Sequence, residues 1–515
     1  MTTEISGWVV DVHMPPPSLE DNTADADRLE KVLAAKIGAG RVAINLELSR
    51  KLPEKLRSWQ YAGKCVVFGA AGRWQLIDVL NPHEQSAAAG LAVDLGTTRV
   101  VLRIVDLQTG ENLGQTAFDN PQVEIGPDIL TRIHYADKPE GLGRLHSRII
   151  DGINAAAADL CQSAGIDPGQ IFLTAVSGNT SMAHLFMGLP AGGIIREPYI
   201  PAVNAPGVMR ASELGLKVND AAAVFVFPNV GSYFGGDLLS GAYYAGFHEN
   251  EQVAMLVDVG TNAEVLLGNR DWLVVCAGAA GPALEGGVSE IGMTAGPGVI
   301  DSVRIDAETR EFEIHTIDEK PPRGICGSGM IDLAAQLFVS GMLDIRGRLV
   351  PEACGSRLKE QDDMRHLVVA FADQSATGRD LTISQADIDS LIRSKAAMYT
   401  ILETIIGYVG ISFQDIEAFY VAGTFGSFIR PRSAISIGMI PDLPESTYCS
   451  LGNSSLEGAV RLLQSRNAVA AVESIKERMT YLELNVNQDF MNRFSAAKFL
   501  PHTDAGRFPS VHRPG

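Results

Sequence analysis

LAVDLGTT, residues 91–98, is the stretch whose reading decides the fold. Leu91-Ala92-Val93 is a short apolar, β-prone run that ends in an acid, Asp94. A tight turn at Gly96 follows, then two hydroxyls, Thr97 and Thr98, and then a β-branched run from Val100 to Val105. That is strand, turn, strand. Such a turn can hold polyphosphate. Glycine lets backbone approach an anion closely, successive turn N–H groups form a concave anion site, and a carboxylate can hold a hard cation directly or through water. A Gly-Thr hairpin in an ordinary sheet gives the same pattern, so one copy decides little.

There are two copies. Leu256 to Asn262 reads LVDVGTN, with Asp258, Gly260 and Thr261 in the corresponding places and a β run, Ala263 to Leu267, behind them. Each copy then turns at a polar hairpin, at 108–111 and at 268–271. Each is followed by a long helical stretch, a strand (Ile171 to Val176; Ala418 to Val421) and a glycine turn, Ser177-Gly178-Asn179 or Ala422-Gly423-Thr424-Phe425-Gly426. Self-similarity on this scale predicts two similar lobes facing each other across a cleft.

Length and composition set the outer bounds. The chain has 515 residues, enough for about three domains. Hydrophobic residues make up 46% and the mean hydropathy is +0.09, as in globular chains. No apolar run approaches the ~20 residues of a membrane helix, and MTTEISGWVV has no basic start before an apolar stretch, which predicts no signal peptide. The net charge of −19 argues against nucleic-acid or anionic-membrane partners, which need basic surface. Six cysteines are scattered without any CxxC, neither a disulfide framework nor a cluster spacing, so a reduced, cytoplasmic protein is expected.

Residues 1–88 read as a small α+β domain, 90–254 as the first lobe and 255–515 as the second. Trp59 and Trp74 in the small domain read as core or contact residues. Asn120-Pro121-Gln122 and Gly126-Pro127-Asp128 form a loop before a helix at Ile129 to Tyr135, and a long amphipathic helix covers about 142–163. Asn179 or Thr180 caps the helix that carries His184, and His184 reads as a satisfied core histidine because no metal partner stands at a sensible spacing. The turn 231–237 ends in Asp237, which opens another helix. CAGAAGPALEGG, 276–287, follows a strand and includes Gly281. Its only charge is Glu285, an acid that is either solvated or at work. GICGSG, 324–329, precedes a helix and offers Gly327 and Ser328 as an anion or hinge site, with Cys326 as a packed thiol or a redox group. Residues 350–380 read as a polar insertion, Gly423 to Gly426 as bare backbone on which a purine can lie, and the proline-bearing tail as frayed.

Taken together these blocks resemble the actin/Hsp70/sugar-kinase ATPases, with the two Asp-x-Gly-Thr hairpins as phosphate loops and 423–426 as the adenosine turn. VDLGTT, NPQ…GPDILTRI, SGNTSMAHL, VDVGTN, AAGPALEGG, GICGSGMIDL and AGTFGSFI are similar, in order, to the ATP-dependent reductive activators of corrinoid proteins. MPPPSLEDNTADADRLE resembles the small domain before the ATPase lobes, so the likeness covers nearly the whole chain.

The resemblance implies an α/β, two-lobed actin-like (RNase H-like) ATPase preceded by a small α+β domain. It implies ATP-driven reduction of cob(II)alamin to cob(I)alamin in a partner methyltransferase corrinoid protein, which itself carries the corrinoid. Carried over by position, Asp94 and Asp258 place Mg²⁺ and its water. Gly96, Thr97, Thr98, Gly260, Thr261 and Asn262 hold phosphates; Gly423, Thr424 and Gly426 face adenosine; Gly178 and Gly327 lie near the interlobe hinge. Asn179, Gly281 and Ser328 join them as cofactor-binding candidates, and Glu285, from its place in the small-residue loop, joins the two aspartates as a catalytic candidate. The family usually carries an N-terminal ferredoxin-like domain with four clustered cysteines for a [2Fe–2S] centre, and this sequence has no such cluster. The expectation is therefore no iron–sulfur cluster in this chain and a separate ferredoxin-like electron donor, or a chain that only remodels its partner. Ala277-Gly278 departs from the family's hydroxyls before AAGP and puts a side-chain phosphate contact there in doubt. A small-molecule kinase, with Asp237 or Glu285 as base, and a nucleotide-sensing scaffold are the alternatives. The oligomeric state, a homodimer included, stays open, as does a redox role for Cys276 or Cys326.

Overall fold

A computed structural model describes residues 7–84, 87–259, 262–279, 289–361, 363–423, 430–484 and 489–512. The chain divides into two compact units. One comprises Met1–His248 with Ser454–Arg478, the other Glu249–Asn453 with Met479–Gly515.

The first unit begins with a small module: β1 (Val9–His13), α1 (Asp25–Ile37), β2 (Val42–Ile44), α2 (Leu46–Ser58), β3 (Ala62–Ala70) and β4 (Arg73–Leu80). Its sheet runs β1-β3-β4-β2. Leu29 and Leu33 on α1 and Leu48, Leu52 and Leu56 on α2 recur at helical spacing and are buried against it. Trp8 stacks on Phe68 with ring centroids 4.7 Å apart, and Trp74 lies 6.3 Å from Trp8.

The larger sheet of this unit runs β7-β6-β5-β8-β10-β9. Its strands are β5 (Ala89–Leu95), β6 (Arg99–Asp106), β7 (Asn112–Asp119), β8 (Ile171–Gly178), β9 (Met209–Arg210) and β10 (Ala223–Val226). The first three form an antiparallel meander, and β8 and β10 add in parallel. Between them lie α3 (Ile129–Tyr135), α4 (Pro139–Ala164), α5 (Thr180–Met187), the short α6 (Ala211–Leu214) and then α7 (Gly236–Tyr244). Proline opens α4, Leu145, Ile149 and Ile153 form its buried stripe, and Gly165 ends it at φ +69°.

The second unit repeats the plan. Its sheet runs β21-β20-β11-β12-β13-β22, with β11 (Ala254–Val259), β12 (Asn262–Gly268) and β13 (Leu273–Ala279) as the antiparallel meander. β20 (Ala418–Ala422) and β21 (Tyr448–Gly452) add in parallel, as β8 and β10 do. A second sheet holds β14 (Val299–Ile305), β15 (Phe312–Thr316) and β16 (Gly324–Ile325), followed by α8 (Gly327–Val339) and a short α9 (Pro351–Cys354). A third holds β17 (Leu358–Gln361), β18 (Met364–Ala370) and β19 (Leu381–Ser384), then α10 (Gln385–Val409). Ser384 and Asp387 cap α10 reciprocally, with bonds of 2.8 and 3.1 Å. The remaining helices are α11 (Pro431–Ser436), α12 (Ser454–Gln464), α13 (Ala468–Arg478) and α14 (Asp489–Ala497), with β22 (Met479–Tyr481) between the last two.

Three expectations change. Residues 350–380 are no mere polar insertion, since Leu367, Val368, Val369 and Ala370 are buried strand residues. The described part of the tail is not frayed. Lys395, fully buried on α10, donates to the carbonyls of Phe499 (2.6 Å) and Pro501 (2.7 Å), and Phe508 is buried. Burial pushes the Lys395 ammonium well below its ordinary pKa. Finally, α12 and α13, assigned to the second lobe by chain order, belong to the first unit. Leu462 accepts the Trp8 indole N–H at 2.8 Å, and Glu457 takes a two-pronged bond from Arg103 at 2.9 and 2.7 Å.

Candidate functional site

Asp94 stands near the end of β5, opposite Val101 on β6 and Ser177 on β8. It is half-buried. Ser455, at the start of α12, places its Oγ 2.7 Å from Asp94 Oδ1 and 2.9 Å from Ser177 Oγ. A hydroxyl carries one proton. With the Ser455 proton on the carboxylate, Ser177 donates to Ser455 Oγ or to the carbonyl of Gly236, 3.1 Å away. Ser240 on α7 donates to the Ser455 carbonyl at 2.7 Å, and α12 crosses α7 where a Cβ on Gly458 would lie 2.1 Å from the Ser240 carbonyl oxygen. The absence of a side chain at Gly458 is what delivers Ser455 to the acid.

The turn beyond Asp94 is fastened on both sides. Asn120, almost fully buried, donates from Nδ2 to the Gly96 carbonyl (2.9 Å) and from its backbone N–H to the Thr98 carbonyl (2.8 Å). Asn179 donates from Nδ2 to Thr97 Oγ1 (3.1 Å), and its Oδ1 accepts the Met182 N–H (2.9 Å) to cap α5. A Cβ on Gly96 would meet the Arg99 carbonyl oxygen at 2.3 Å, so the tightness of this turn requires glycine. Gly178 ends β8. At Gly235, which caps α7, a Cβ would stand 2.4 Å from Asn179 Cα and 2.5 Å from Asp237 Oδ1. That close approach sets Asp237 beside the Gly178–Asn179 turn. His184 is, as expected, a core residue: it bonds the Thr180 carbonyl from Nδ1 (2.7 Å) and accepts the Val203 N–H at Nε2 (3.3 Å). Burial lowers its pKa.

In the second unit Asp258 stands near the end of β11, opposite Glu264 on β12 and Ala422 on β20, and is half-buried. Gly423 follows Ala422 with φ +82°, and a Cβ there would lie 2.8 Å from Asp258 Oδ1. Bare backbone therefore abuts the second acid. Gly260, Thr261, Gly281, Glu285, Thr424 and Gly426 lie outside the described residues. Asn262 opens β12, but its side chain is also outside them. Gly327 and Ser328 form the first turn of α8, buried, with Ser328 Oγ 3.1 Å from Cys326 Sγ. Cys326 also bonds the Ile300 carbonyl at 3.3 Å. Cys276 is buried, and burial pushes its thiol up. Both thiols sit as small packed residues.

These features suit polyphosphate and Mg²⁺. Each unit offers a half-buried carboxylate at a strand end and a glycine whose missing Cβ leaves backbone within reach of an anion. Among the described residues no group of three or more His, Cys, Asp or Glu side chains is gathered for a metal ion. A cation here would rest on single carboxylates, phosphate oxygens and water, as Mg²⁺ commonly does.

Three family models match the chain in order. The RACo linker region covers residues 6–86, the RACo middle region 89–250, and the C-terminal domain of RACo, the ASKHA domain, 252–512. The chain belongs to the RACo family. Its fold is accordingly that of an actin-like ASKHA ATPase with a small N-terminal domain. A solved RACo-type structure, a reductive activator for a corrinoid, iron–sulfur protein, is 36% identical. It matches 99% of this chain and 82% of its own at a TM-score of 0.85. The corrinoid activation enzyme RamQ of Eubacterium limosum is 29% identical over 82% of this chain and 72% of its own. A reductase of a Co(II) methylated amine-specific corrinoid protein from Methanosarcina barkeri is 24% identical over 78% of this chain and 75% of its own.

Within this RACo-type chain the structure brings Asp94, Gly96, Thr97, Thr98, Gly178 and Asn179 to one end of the first sheet, and Asp258 and Gly423 to the corresponding end of the second. Sequence reading missed Ser177, Ser455 and the pinning role of Asn120. Asn120 stood in a noted proline-bearing loop, whose proximity to the hairpin could have been suspected. Ser455 carried no signal, being 361 positions from Asp94.

Proposed function

We propose that this chain is an ATP-dependent reductive activator. It binds MgATP at its aspartate hairpins and uses hydrolysis to support one-electron reduction of cob(II)alamin to cob(I)alamin in a partner corrinoid protein of a methyltransferase system. The observation that carries this reading is likeness over 99% of the chain to a solved reductive activator, joined to two strand-end carboxylates in matching places. Asp94 and Asp258 hold the cation and its water, and Asp94 is oriented by Ser455 so that its charge is fixed before ligand arrives. Thr97, Thr98 and the backbone at Gly96 take phosphate, and Gly423 gives backbone on the other hairpin. Mg²⁺ would supply charge neutralisation at the phosphates. Gly178, Gly327 and Ser328 act at hinges, and a separate low-potential, ferredoxin-like protein supplies the electron. The family assignment favours this reading over the small-molecule kinase and the scaffold.

The test is ATP hydrolysis with Mg²⁺, with and without a cob(II)alamin-loaded corrinoid protein from the same source, under a low-potential chemical reductant. Appearance of the cob(I)alamin absorption only with both ATP and this chain is the expected result. ATP turnover with an unchanging cobalt spectrum sinks the proposal.

A further inference from the structure

The segment between β7 and α4 enters the site as described so far only through Asn120, yet it contains a further side chain that folding alone does not explain. Arg132 on α3 is completely buried. Its Nε donates to the Gly126 carbonyl at 2.8 Å, and its Nη1 reaches Gln122 Oε1 and Met182 Sδ, each at 3.4 Å. Its Nη2 is buried with no hydrogen-bond partner, and among the described residues no carboxylate pairs with it. Asp128, one turn back, is exposed and commits its oxygens to the N–H and hydroxyl of Thr131 at 2.8 and 2.7 Å. Glu124 pairs instead with Arg148 at 3.1 Å. Desolvation lowers the pKa of the guanidinium. The Asp128 charge opposes part of that lowering from a distance, without an ion pair. A buried cation with no direct ion pair is costly to folding, and a site that keeps one invites a functional reason.

The contacts of Arg132 lead to the phosphate turn by two routes. In one, Gln122, itself fully buried, gives its backbone N–H to Asn120 Oδ1 at 3.0 Å, and Asn120 holds the carbonyls of Gly96 and Thr98. In the other, Met182 touches the guanidinium through sulfur and gives its N–H to Asn179, whose amide holds the Thr97 hydroxyl. Gln122 Nε2 anchors the cluster to the Leu145 carbonyl on α4 at 2.9 Å. All three residues of the Gly96–Thr98 turn are thus held from behind by one polar cluster whose only formal charge is that of Arg132.

We propose that Arg132, acting through Gln122, Asn120 and Met182, is a positioning residue that presets the Gly96–Thr98 turn and sets a fixed positive charge behind it, so that phosphate-bearing nucleotide is preferred over adenosine. This rests on the nucleotide reading of the Asp94 hairpin. A fixed charge in a low-dielectric surround acts on each added phosphate charge and leaves a neutral nucleoside almost unaffected.

The experiment measures binding of MgATP, MgADP and adenosine by calorimetry to the full chain, its Arg132→Met and Arg132→Lys variants and Gln122→Glu, with thermal melts alongside. Gln122→Glu sets a carboxylate against the guanidinium at unchanged side-chain size, with loss of the bond to the Leu145 carbonyl, and serves if Arg132→Met does not fold. Arg132→Met and Gln122→Glu are each expected to weaken MgATP about tenfold, MgADP less, and adenosine not at all. Arg132→Met also takes the donors away from the Gly126 carbonyl and Gln122 Oε1, so its melt serves to show that the variant is folded. Arg132→Lys should recover most of the phosphate preference. Equal weakening of adenosine and MgATP with a lowered melt overturns the proposal in favour of packing alone. Unchanged MgATP binding in folded Arg132→Met and Gln122→Glu overturns it while leaving the nucleotide reading intact. A wild-type chain that binds no MgATP overturns both.

Discussion

The two aspartate hairpins of this chain share a topology, and among the described residues they show different supports. Each acid stands near the end of the first strand of an antiparallel meander, beside a parallel strand that ends in a glycine (Gly178) or is followed by one (Gly423). At the first hairpin, side chains do the fixing. Ser455 holds Asp94, Asn120 holds the turn's carbonyls, Asn179 holds Thr97, and Arg132 lies behind. At the second, the neighbour across β20 is Ala422 rather than a serine, and what abuts Asp258 is the backbone of Gly423 at φ +82°. The frame, which depends on strand pairing, is common to both. Among the described residues the first hairpin shows side-chain hydrogen bonds that preorganise it, and the second shows, beside its acid, a backbone conformation that only glycine takes without strain.

The largest expected effect comes from removing either charge. Asp94→Asn and Asp258→Asn should each lower Mg²⁺-dependent ATP hydrolysis by about 10²-fold or more, read as phosphate release. If only one of them matters, the symmetry between the hairpins is architectural and not chemical. Next is Gly423→Ala, which forces a side chain into left-handed backbone and against Asp258. It should cost about 1–2 kcal/mol in a denaturant melt and slow hydrolysis roughly tenfold through misplacement of the carboxylate. A Gly423→Ala chain of wild-type stability would mean that bare backbone is not what the second hairpin needs. The smallest effect is at Ser455→Ala. It removes one hydrogen bond to a partly exposed carboxylate, and about 1 kcal/mol, or roughly a fivefold loss in turnover, is expected. A much larger loss would promote Ser455 from orienting Asp94 to taking part in the chemistry.

The paired strands of the two meanders, the Gly178 turn and most described helices were legible because their signals are local. Alternating apolar residues, a proline or serine at a helix start and a glycine at its end act within a few positions. The sheet orders agree with the repeat that the two Asp-x-Gly-Thr copies announce. His184 was legible as a core residue because no partner at metal-ligand spacing accompanied it. Residues 350–380 misled because charged loop residues there outweigh the short apolar strand 367–370, and the tail misled because its prolines read as fraying while its carbonyls are claimed by Lys395 from another element.

By itself the sequence determined the duplicated frame, the place of Asp94 and Asp258 near strand ends and the family to which the chain belongs, since strand patterning and turn chemistry are written residue by residue. Only the tertiary structure decided that helix 454–464 returns to the first unit, that its Ser455 bonds Asp94, and that Arg132 is buried without a direct ion pair behind the Gly96–Thr98 turn. The physical reason is that a hydrogen bond or a desolvated charge depends on which groups are brought together, and a contact across 361 positions leaves no periodic trace in either partner's neighbourhood.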